Sequence, residues 1–335
     1  MSELIEGIIE QNTKAIAPAM VQAVSALRNS YIQAAVSQNT RKAYRQDVDH
    51  FTRWGGLLPT TPDIIVNYLT AHATILNSRT LIRRLTALKH WHVYQGFSDP
   101  TAYPLIQKTL KGILNVHGQP KNRANALTLE QLNQMVAFMR QQNTLSMLRN
   151  NALLQIGFFG AFRCSELANL QFENITFVAE GIDILIPRSK TDPIGEGQQC
   201  AIPYGDDTLC PVTALKLWCK KANINAGAVF RGIDQHHNLS LSPLSSQSVS
   251  LIIKKIAQAC QLPNANKFSS HSLRRGFATT ASQKGAPFVS IMRHGRWCNE
   301  STVLSYIADG QRFETNAAQV ILDQNQALTT NAPLE

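Results

Sequence analysis

A polar segment without periodicity divides this sequence into two parts, and it limits the possible folds more than any other feature. Residues 118–126 read G-Q-P-K-N-R-A-N-A, a composition typical of a linker between domains. Thr128 and Gln131 then form a capping-box pattern that predicts the start of a helix. We therefore expect an N-terminal helix or extension over 1–30, a first domain over 31–117, the linker over 118–126, a second domain over 127–310, and a C-terminal helix and tail over 311–335.

The first domain contains only helical patterns. Apolar residues recur at three- and four-residue steps in 40–54, 63–72, 78–95 and 103–116. In two of these segments, basic side chains occupy the faces around the apolar one, where they could lie against DNA phosphates or enter a major groove. The predicted DNA-contacting residues are Arg41, Lys42, Arg45, Arg79, Arg83, Arg84 and Lys89.

Positive charge is concentrated in the first domain. The formal net charge of the chain is +10. Residues 31–125 contain 12 Lys and Arg against 4 Asp and Glu, whereas residues 126–335 contain 18 against 15. Such a surface attracts a polyanion and makes its binding depend on salt. The alternative is an ordinary basic surface without a nucleic-acid partner.

The second domain mixes helices with a short stretch of strands. Helical patterns extend to about residue 170, and alternation then predicts three strands over 174–177, 182–187 and 198–202. Helices resume over 211–221 and 246–260, and the region after 269 is mostly helical. The predicted fold class is therefore mainly α: an all-helical N-terminal domain followed by an α+β domain with a small three-stranded antiparallel sheet.

Several classes of protein are disfavoured. The six cysteines show no C-x-x-C spacing and no paired histidine spacing, which argues against a disulfide framework and a zinc site. The first residues, M-S-E-L-I-E-G-I-I-E, are acidic and lack a basic stretch followed by an apolar run, so we expect no secretory signal. The most apolar segment, 151–162, is too short to span a bilayer. We expect a cytoplasmic, nucleoid-associated protein without metal or membrane partner.

The second domain also contains residue types that suit phosphoryl transfer, which needs a proton acceptor, cations for the phosphate oxygens and a nucleophilic hydroxyl. His271 and Arg274 share one face of a predicted helix. Each fragment alone is weak, because an Arg–Glu pair three residues apart or a hairpin lysine is common. Together they occur in the order Arg163, Glu166, Lys190, His271, Arg274, Trp297 and Tyr306.

This order and its local words resemble the tyrosine recombinase (phage integrase) family, in particular its Cre-like members. The segments N-T-R-K-A-Y-R and S-R-T-L-I-R-R-L resemble the family's core-binding domain, and residues 126–310 resemble its catalytic domain. The resemblance makes Arg163 and Arg274 the paired arginines and Tyr306 the nucleophile. The remaining roles it implies are the hairpin lysine for Lys190, the histidine of H-x-x-R for His271, the His-or-Trp position for Trp297 and the acidic partner for Glu166.

The resemblance also implies an activity. A site-specific recombinase or integrase of this family cleaves and rejoins duplex DNA through a 3′-phosphotyrosine intermediate and a Holliday junction. It acts as a homotetramer on two sites with inverted repeats and needs no cofactor. The rival interpretations are a type IB topoisomerase or telomere resolvase with the same chemistry, and a non-catalytic DNA-binding regulator with the same fold.

Three local alternatives remain. His294 competes with Trp297 for one catalytic position, but the nine-residue step to Tyr306 favours Trp297, and we expect His294 to be structural. Tyr204 competes with Tyr306, but it follows a strand and we expect it to pack. The apolar stripe in 314–322 either packs on its own domain or, as the resemblance implies, docks in a neighbouring subunit.

Overall fold

The computed structural model describes residues 18–120, 124–142, 144–189, 192, 194–310, 318 and 322. The chain divides into two compact units, Met1–Asn122 and Arg123–Glu335. The described residues are mostly helical with a small antiparallel sheet, so the predicted mainly α fold class is confirmed. Within these residues, no helix has the length and apolar character needed to cross a membrane.

Helices account for the regular structure described in the first unit. They are α1 Pro18–Ala34, α2 Gln38–Trp54, α3 Pro62–His72, α4 Ser78–Tyr94 and α5 Pro104–His117. Helix α2 starts two residues before the predicted 40, because the side-chain oxygen of Ser37 caps it, whereas α4 starts at the predicted residue 78 and is capped by Asn77. A shared core joins α2 to α5, built from Phe51, Ile65, Tyr68, Leu69, Leu81, Leu85, Leu88, Ile106 and Ile113.

The second unit combines helices with two small sheets. Its helices are α6 Leu129–Gln142, α7 Leu145–Phe159, α8 Cys164–Ala168, α9 Pro211–Lys221, α10 Ser246–Ala259, α11 Ser270–Gln283, α12 Phe288–Gly295 and α13 Glu300–Gly310. Its strands are β1 Ile175–Phe177, β2 Gly181–Ile186, β3 Gln198–Pro203, β4 Arg231–Ile233 and β5 Leu239–Pro243. The antiparallel order β1-β2-β3 is the predicted three-stranded sheet. The β4–β5 hairpin was not predicted, since its strands are short and Leu241 is exposed.

Helix α7 is buried along most of its length and packs against α6, α9 and α11. Its apolar sequence therefore belongs to the core of the unit, where Trp218 and Phe158 are also fully covered. The chain leaves α7 at Gly160 and turns directly into α8, which places Arg163 at the start of that short helix. A core element thus fixes the position of the first candidate site residue.

A second, smaller core joins α11, α12 and α13. It consists of Ala278, Ile291, Val303 and Tyr306, with Trp297 packed against it. Tyr306 is therefore part of a packed cluster, although it was predicted to act chemically. Of the predicted C-terminal helix 314–322, only Ala318 and Leu322 are among the described residues, and both are helical.

Candidate active site

Helix α11 presents two of the predicted site residues. The backbone N–H of Ser269 donates to Ser272 Oγ at 3.0 Å, which fixes the start of the helix. His271 and Arg274 follow one turn apart, so they lie on the same face. Their environments differ, because His271 is exposed whereas Arg274 is only 3% exposed.

The predicted nucleophile lies next to this face. The Tyr306 hydroxyl is 2.8 Å from His271 Nε2, within hydrogen-bonding distance. The Tyr306 side chain is buried, and its ring lies edge-on to Trp297 with the ring centres 6.3 Å apart. Thr279 Oγ1 donates to the Tyr306 carbonyl at 3.0 Å and so fastens α13 to α11. The packing of α13 against α11 therefore fixes the position of the Tyr306 phenol relative to the His271 imidazole.

A carboxylate holds the first arginine. Arg163 Nη1 donates to Glu166 Oε1 at 2.6 Å, and the Arg163 backbone N–H donates to Glu166 Oε2 at 2.9 Å. Burial by itself raises the pKa of Glu166, but hydrogen bonds from Arg163 and the positive charge of Arg296 outweigh it, and the net pKa is lowered. Glu166 is therefore ionised near neutral pH and orients the Arg163 guanidinium.

The second arginine is buried in positive surroundings. Arg274 Nη1 donates to the Ala161 carbonyl, while Nη2 has no hydrogen-bond partner among the described residues. Burial, together with the charge of Arg163, lowers the pKa of Arg274 to about 9. A covered donor without a partner and a disfavoured positive charge are both relieved by an anion, such as a phosphate.

Trp297 joins the second arginine to the nucleophile. Arg274 Cζ lies 4.1 Å from the centre of the Trp297 ring, a cation–π contact. The backbone of Gly295 makes room for this ring, because a Cβ at that position would lie 1.7 Å from Trp297 Cζ3. The Trp297 indole therefore connects the Arg274 guanidinium to the Tyr306 phenol.

Three further residues from the sequence analysis have separate positions. Lys190 lies outside the described residues. His294 Nε2 is 2.6 Å from the Phe159 carbonyl and its ring stacks on Phe277, in line with the expected structural role. Tyr204 is 41% exposed, and it packs against Lys216, whose Nζ contacts both its hydroxyl and its ring.

The predicted DNA-contacting residues divide by exposure, and Arg84 requires a correction. It is buried, and its Nη1 donates to the Tyr68 hydroxyl at 2.7 Å, so it supports the helix pair instead of facing a ligand. Arg83 is half-exposed and makes a two-pronged bond to Asp47. Lys42 and Arg45 are exposed. The other three are partly or fully exposed and contact protein groups: Arg41 with Gln33, Arg79 with the Gln119 carbonyl and Lys89 with Asp99.

Two buried arginines were not identified from the sequence. Arg296 is 6% exposed, and its Nη2 lies 3.5 Å from Glu166 Oε2. Arg275 is 7% exposed, and its Cζ lies 5.4 Å from the Tyr306 ring centre. Arg275 is adjacent in sequence to Arg274, and Arg296 is adjacent to Trp297. This adjacency to predicted site residues was the signal in the sequence that could have identified both arginines.

The chain is similar to known proteins in both sequence and fold. Residues 125–312 match the phage integrase family. The chain is 37% identical over 295 residues to an integrase/recombinase XerD homolog of Selenomonas ruminantium, with 85% of this chain and 86% of that protein covered. The term Cre-like therefore describes the chain only loosely.

Two solved structures share the fold. One is the XerH site-specific recombinase bound to a palindromic difH substrate after cleavage, with a TM-score of 0.57, 18% identity, and 79% of this chain and 73% of that chain covered. The other is a lambda integrase dimer bound to a COC′ core site, with a TM-score of 0.56, 14% identity, and 91% and 85% covered. From the family match and the XerD-homolog relative, the chain belongs to the phage integrase family and is a tyrosine recombinase, an enzyme that breaks and rejoins DNA at specific sites.

Proposed function

We propose that this recombinase opens each DNA strand by attack of the Tyr306 hydroxyl oxygen on a backbone phosphorus. A bond forms between that oxygen and phosphorus, the bond to the 5′-oxygen breaks, and a 3′-phosphotyrosine remains. The observation that carries the proposal is the 2.8 Å distance between the Tyr306 hydroxyl and His271 Nε2. Attack by a 5′-hydroxyl from the other DNA site reverses the step and exchanges strands, through a Holliday junction.

Proton movements determine the barrier to this step. A phenol has an ordinary pKa of about 10, so it must lose its proton in order to attack. His271 is within reach of that proton and is exposed, which supports a role as acceptor or relay. The leaving 5′-oxygen must gain a proton, and we assign that donation to Lys190 from its place in the family motif.

Positive charge supports the transition state. Arg163 and Arg274 would bind the non-bridging phosphate oxygens, and the indole N–H of Trp297 would add a third donor. Each such donor contributes on the order of 3 kcal/mol to transition-state stabilisation. The free Nη2 hydrogens of Arg274, which lack a partner among the described residues, support this role. Glu166 would keep Arg163 aligned through its two bonds.

DNA binding is assigned mainly to the first domain. Residues 31–117 would act as the core-binding domain and 127–310 as the catalytic domain, joined by the linker 118–126. The excess of positive charge in 31–125 and the exposure of Lys42 and Arg45 support contact with phosphates. A homotetramer would act on two duplex sites with inverted repeats, because strand exchange needs four cleavages.

Replacement of the nucleophile tests the proposal. Tyr306→Phe removes only the hydroxyl oxygen, so the variant should bind a site with unchanged affinity yet form no covalent adduct. The adduct is measured on a denaturing gel with a nicked substrate that traps the cleaved strand. Tyr204→Phe is the matched control and should form the adduct at the wild-type rate. An adduct in Tyr306→Phe would contradict the assignment of the nucleophile. Strand exchange is measured separately, as crossover products formed between two DNA sites.

A further inference from the structure

Arg296 lies in the turn between α12 and α13, and its side chain points into the protein next to the site. It is 6% exposed. Nη1 donates to the His294 carbonyl at 2.8 Å, and Nη2 donates to the Gly160 carbonyl at 3.0 Å. Its Cζ lies 4.9 Å from the centre of the Phe162 ring. One guanidinium therefore bridges the turn after α12 and the turn after α7.

The same residue holds Arg163 from two sides. Arg163 Nη2 donates to the Arg296 backbone carbonyl at 3.1 Å. The Arg296 guanidinium lies 3.5 Å from Glu166 Oε2, and the other oxygen of that carboxylate accepts from Arg163 Nη1. Arg163, Glu166 and Arg296 thus form a closed ring, in which the backbone and the side chain of Arg296 make separate links.

The ring also reaches Arg274. The Ala161 carbonyl accepts a hydrogen bond from Arg274 Nη1 and lies 3.5 Å from Arg296 Nη2. Ala161 has a left-handed backbone, with φ of 47°, in the turn that leads to Arg163. The carbonyl that anchors Arg274 and the carboxylate that anchors Arg163 are therefore both held by Arg296.

Stability alone does not favour an arginine here. Arg296 has φ of 57°, a left-handed conformation that glycine adopts more easily. Its Nε is buried without a hydrogen-bond partner among the described residues. Backbone strain and an unmet donor both destabilise the folded state, and such features concentrate at functional sites.

We propose that Arg296 is a positioning residue that sets the distance between the Arg163 and Arg274 guanidiniums. It acts through Glu166 and the Ala161 carbonyl, because its burial keeps it from the DNA. The inference rests on the proposed function, in which those two arginines bind one phosphate. A misplacement of about 1 Å at such a pair lowers the rate of the chemical step by about a hundredfold.

The proposal predicts a change in pH dependence. Glu166 faces Arg163 at the start of α8, Arg274 from α11, Arg296 from the turn after α12 and the Cys200 thiol from β3. Burial raises the pKa of Glu166, and the charge of Arg296 is among the groups that lower it. Without that charge the pKa of Glu166 rises, so the carboxylate becomes protonated and releases Arg163 at a higher pH than in the wild type.

Arg296→Gly separates the two contributions of the residue, since glycine keeps the backbone carbonyl and suits the left-handed conformation. Single-turnover cleavage at saturating DNA should fall about a hundredfold, with DNA affinity unchanged. The acidic limb of the pH–rate profile should move to higher pH. Arg293→Gly, which removes an exposed arginine near the end of α12, is the matched control and should retain the wild-type rate and profile.

Arg296→Lys keeps the charge but cannot donate to the His294 and Gly160 carbonyls with one planar fork. It should cleave slowly while its acidic limb stays at the wild-type pH. If Arg296→Gly fails to fold, this variant decides: a folded Arg296→Lys with the wild-type rate overturns the proposal.

The two proposals fail differently. An adduct in Tyr306→Phe, or none in the wild type, overturns the proposed chemistry. A normal wild-type adduct, together with an Arg296→Gly variant that cleaves at the wild-type rate with an unshifted acidic limb, overturns the positioning role alone.

Discussion

At the scale of single residues, the candidate site depends on a glycine that has no side chain as much as on side chains with functional groups. Gly295 has no Cβ, and the Trp297 ring occupies the space where that atom would be. The ring needs this place to contact Arg274, whose Cζ lies 4.1 Å from its centre, and Tyr306. A glycine that the sequence shows only as the end of a helix therefore determines where an indole can sit.

Gly295→Ala should push the Trp297 ring out of its position. We expect a loss of about 1–3 kcal/mol in the free energy of unfolding, the usual effect of overpacking. Cleavage should slow by more than this loss of folded protein explains, because the contact with Arg274 is disturbed. Thermal unfolding and single-turnover cleavage measure the two effects. Gly112→Ala is the control, since its Cβ would meet nothing within 4 Å; equal behaviour of the two variants would contradict the prediction.

At the scale of elements, helix α11 connects the start of the second unit to the active site. The Leu127 backbone N–H donates to the Ser272 carbonyl at 3.1 Å, and Arg275 Nη1 donates to the Ala124 carbonyl at 2.6 Å. Gly276 allows this close approach, because a Cβ there would lie 2.0 Å from the Leu127 carbonyl oxygen. The guanidinium of Arg275 also faces the Tyr306 ring. The segment 124–127 and Tyr306 are thus linked through a single helix.

Arg275→Met keeps a long apolar stem but removes the bond to the Ala124 carbonyl and the charge beside Tyr306. The free energy of unfolding should fall by about 1–3 kcal/mol, the usual effect of removing the hydrogen-bond partner of a buried polar group. Hydrogen exchange of the Leu127 amide should accelerate, and cleavage should slow. Lys284→Met, at the exposed residue directly after α11, serves as the control. Unchanged exchange at Leu127 would disprove the link.

At the scale of the whole molecule, the described site residues come from well-separated parts of the second unit. Arg163 precedes α8, His271 and Arg274 lie on α11, Trp297 follows α12, and Tyr306 lies on α13. Helix α13 ends at Gly310, whose carbonyl accepts a hydrogen bond from Gln283 Nε2 at 3.1 Å. The seven residues proposed for cleavage therefore all precede position 311.

A chain that ends at Gly310 should therefore fold and form the Tyr306 adduct on a single DNA arm. It should assemble poorly on two sites, because the apolar stripe in 314–322 could contribute about 4–6 kcal/mol when it docks in a neighbour. Thermal unfolding, adduct formation and native gel shifts with two-site DNA measure these properties. Full-length protein is the control. Synaptic complexes as abundant as those of the full-length chain, or loss of folding, would rule out an exchanged helix.

Much of the local structure could be predicted from sequence because its causes are local. Alternation of apolar residues marked β2, where Ile182, Ile184 and Ile186 are buried. The capping box of Thr128 and Gln131 is present, with both reciprocal hydrogen bonds. The β4–β5 hairpin was missed because its strands contribute few apolar residues to the core. The leucines that alternate with serines in L-S-L-S-P are not buried, so this alternation does not mark a core-facing strand.

The sequence by itself determined which residue types stand in the order of the motif, and with them the family. Only the tertiary structure decided which charged side chains face one another. Periodicity places Arg84 on a helix but cannot show that Tyr68 and Asp47 cover it. Likewise, no local pattern joins Arg296 to Gly160 and Glu166, which lie far away along the chain. Such pairings arise when separate elements pack together, and packing depends on the shape of the whole core.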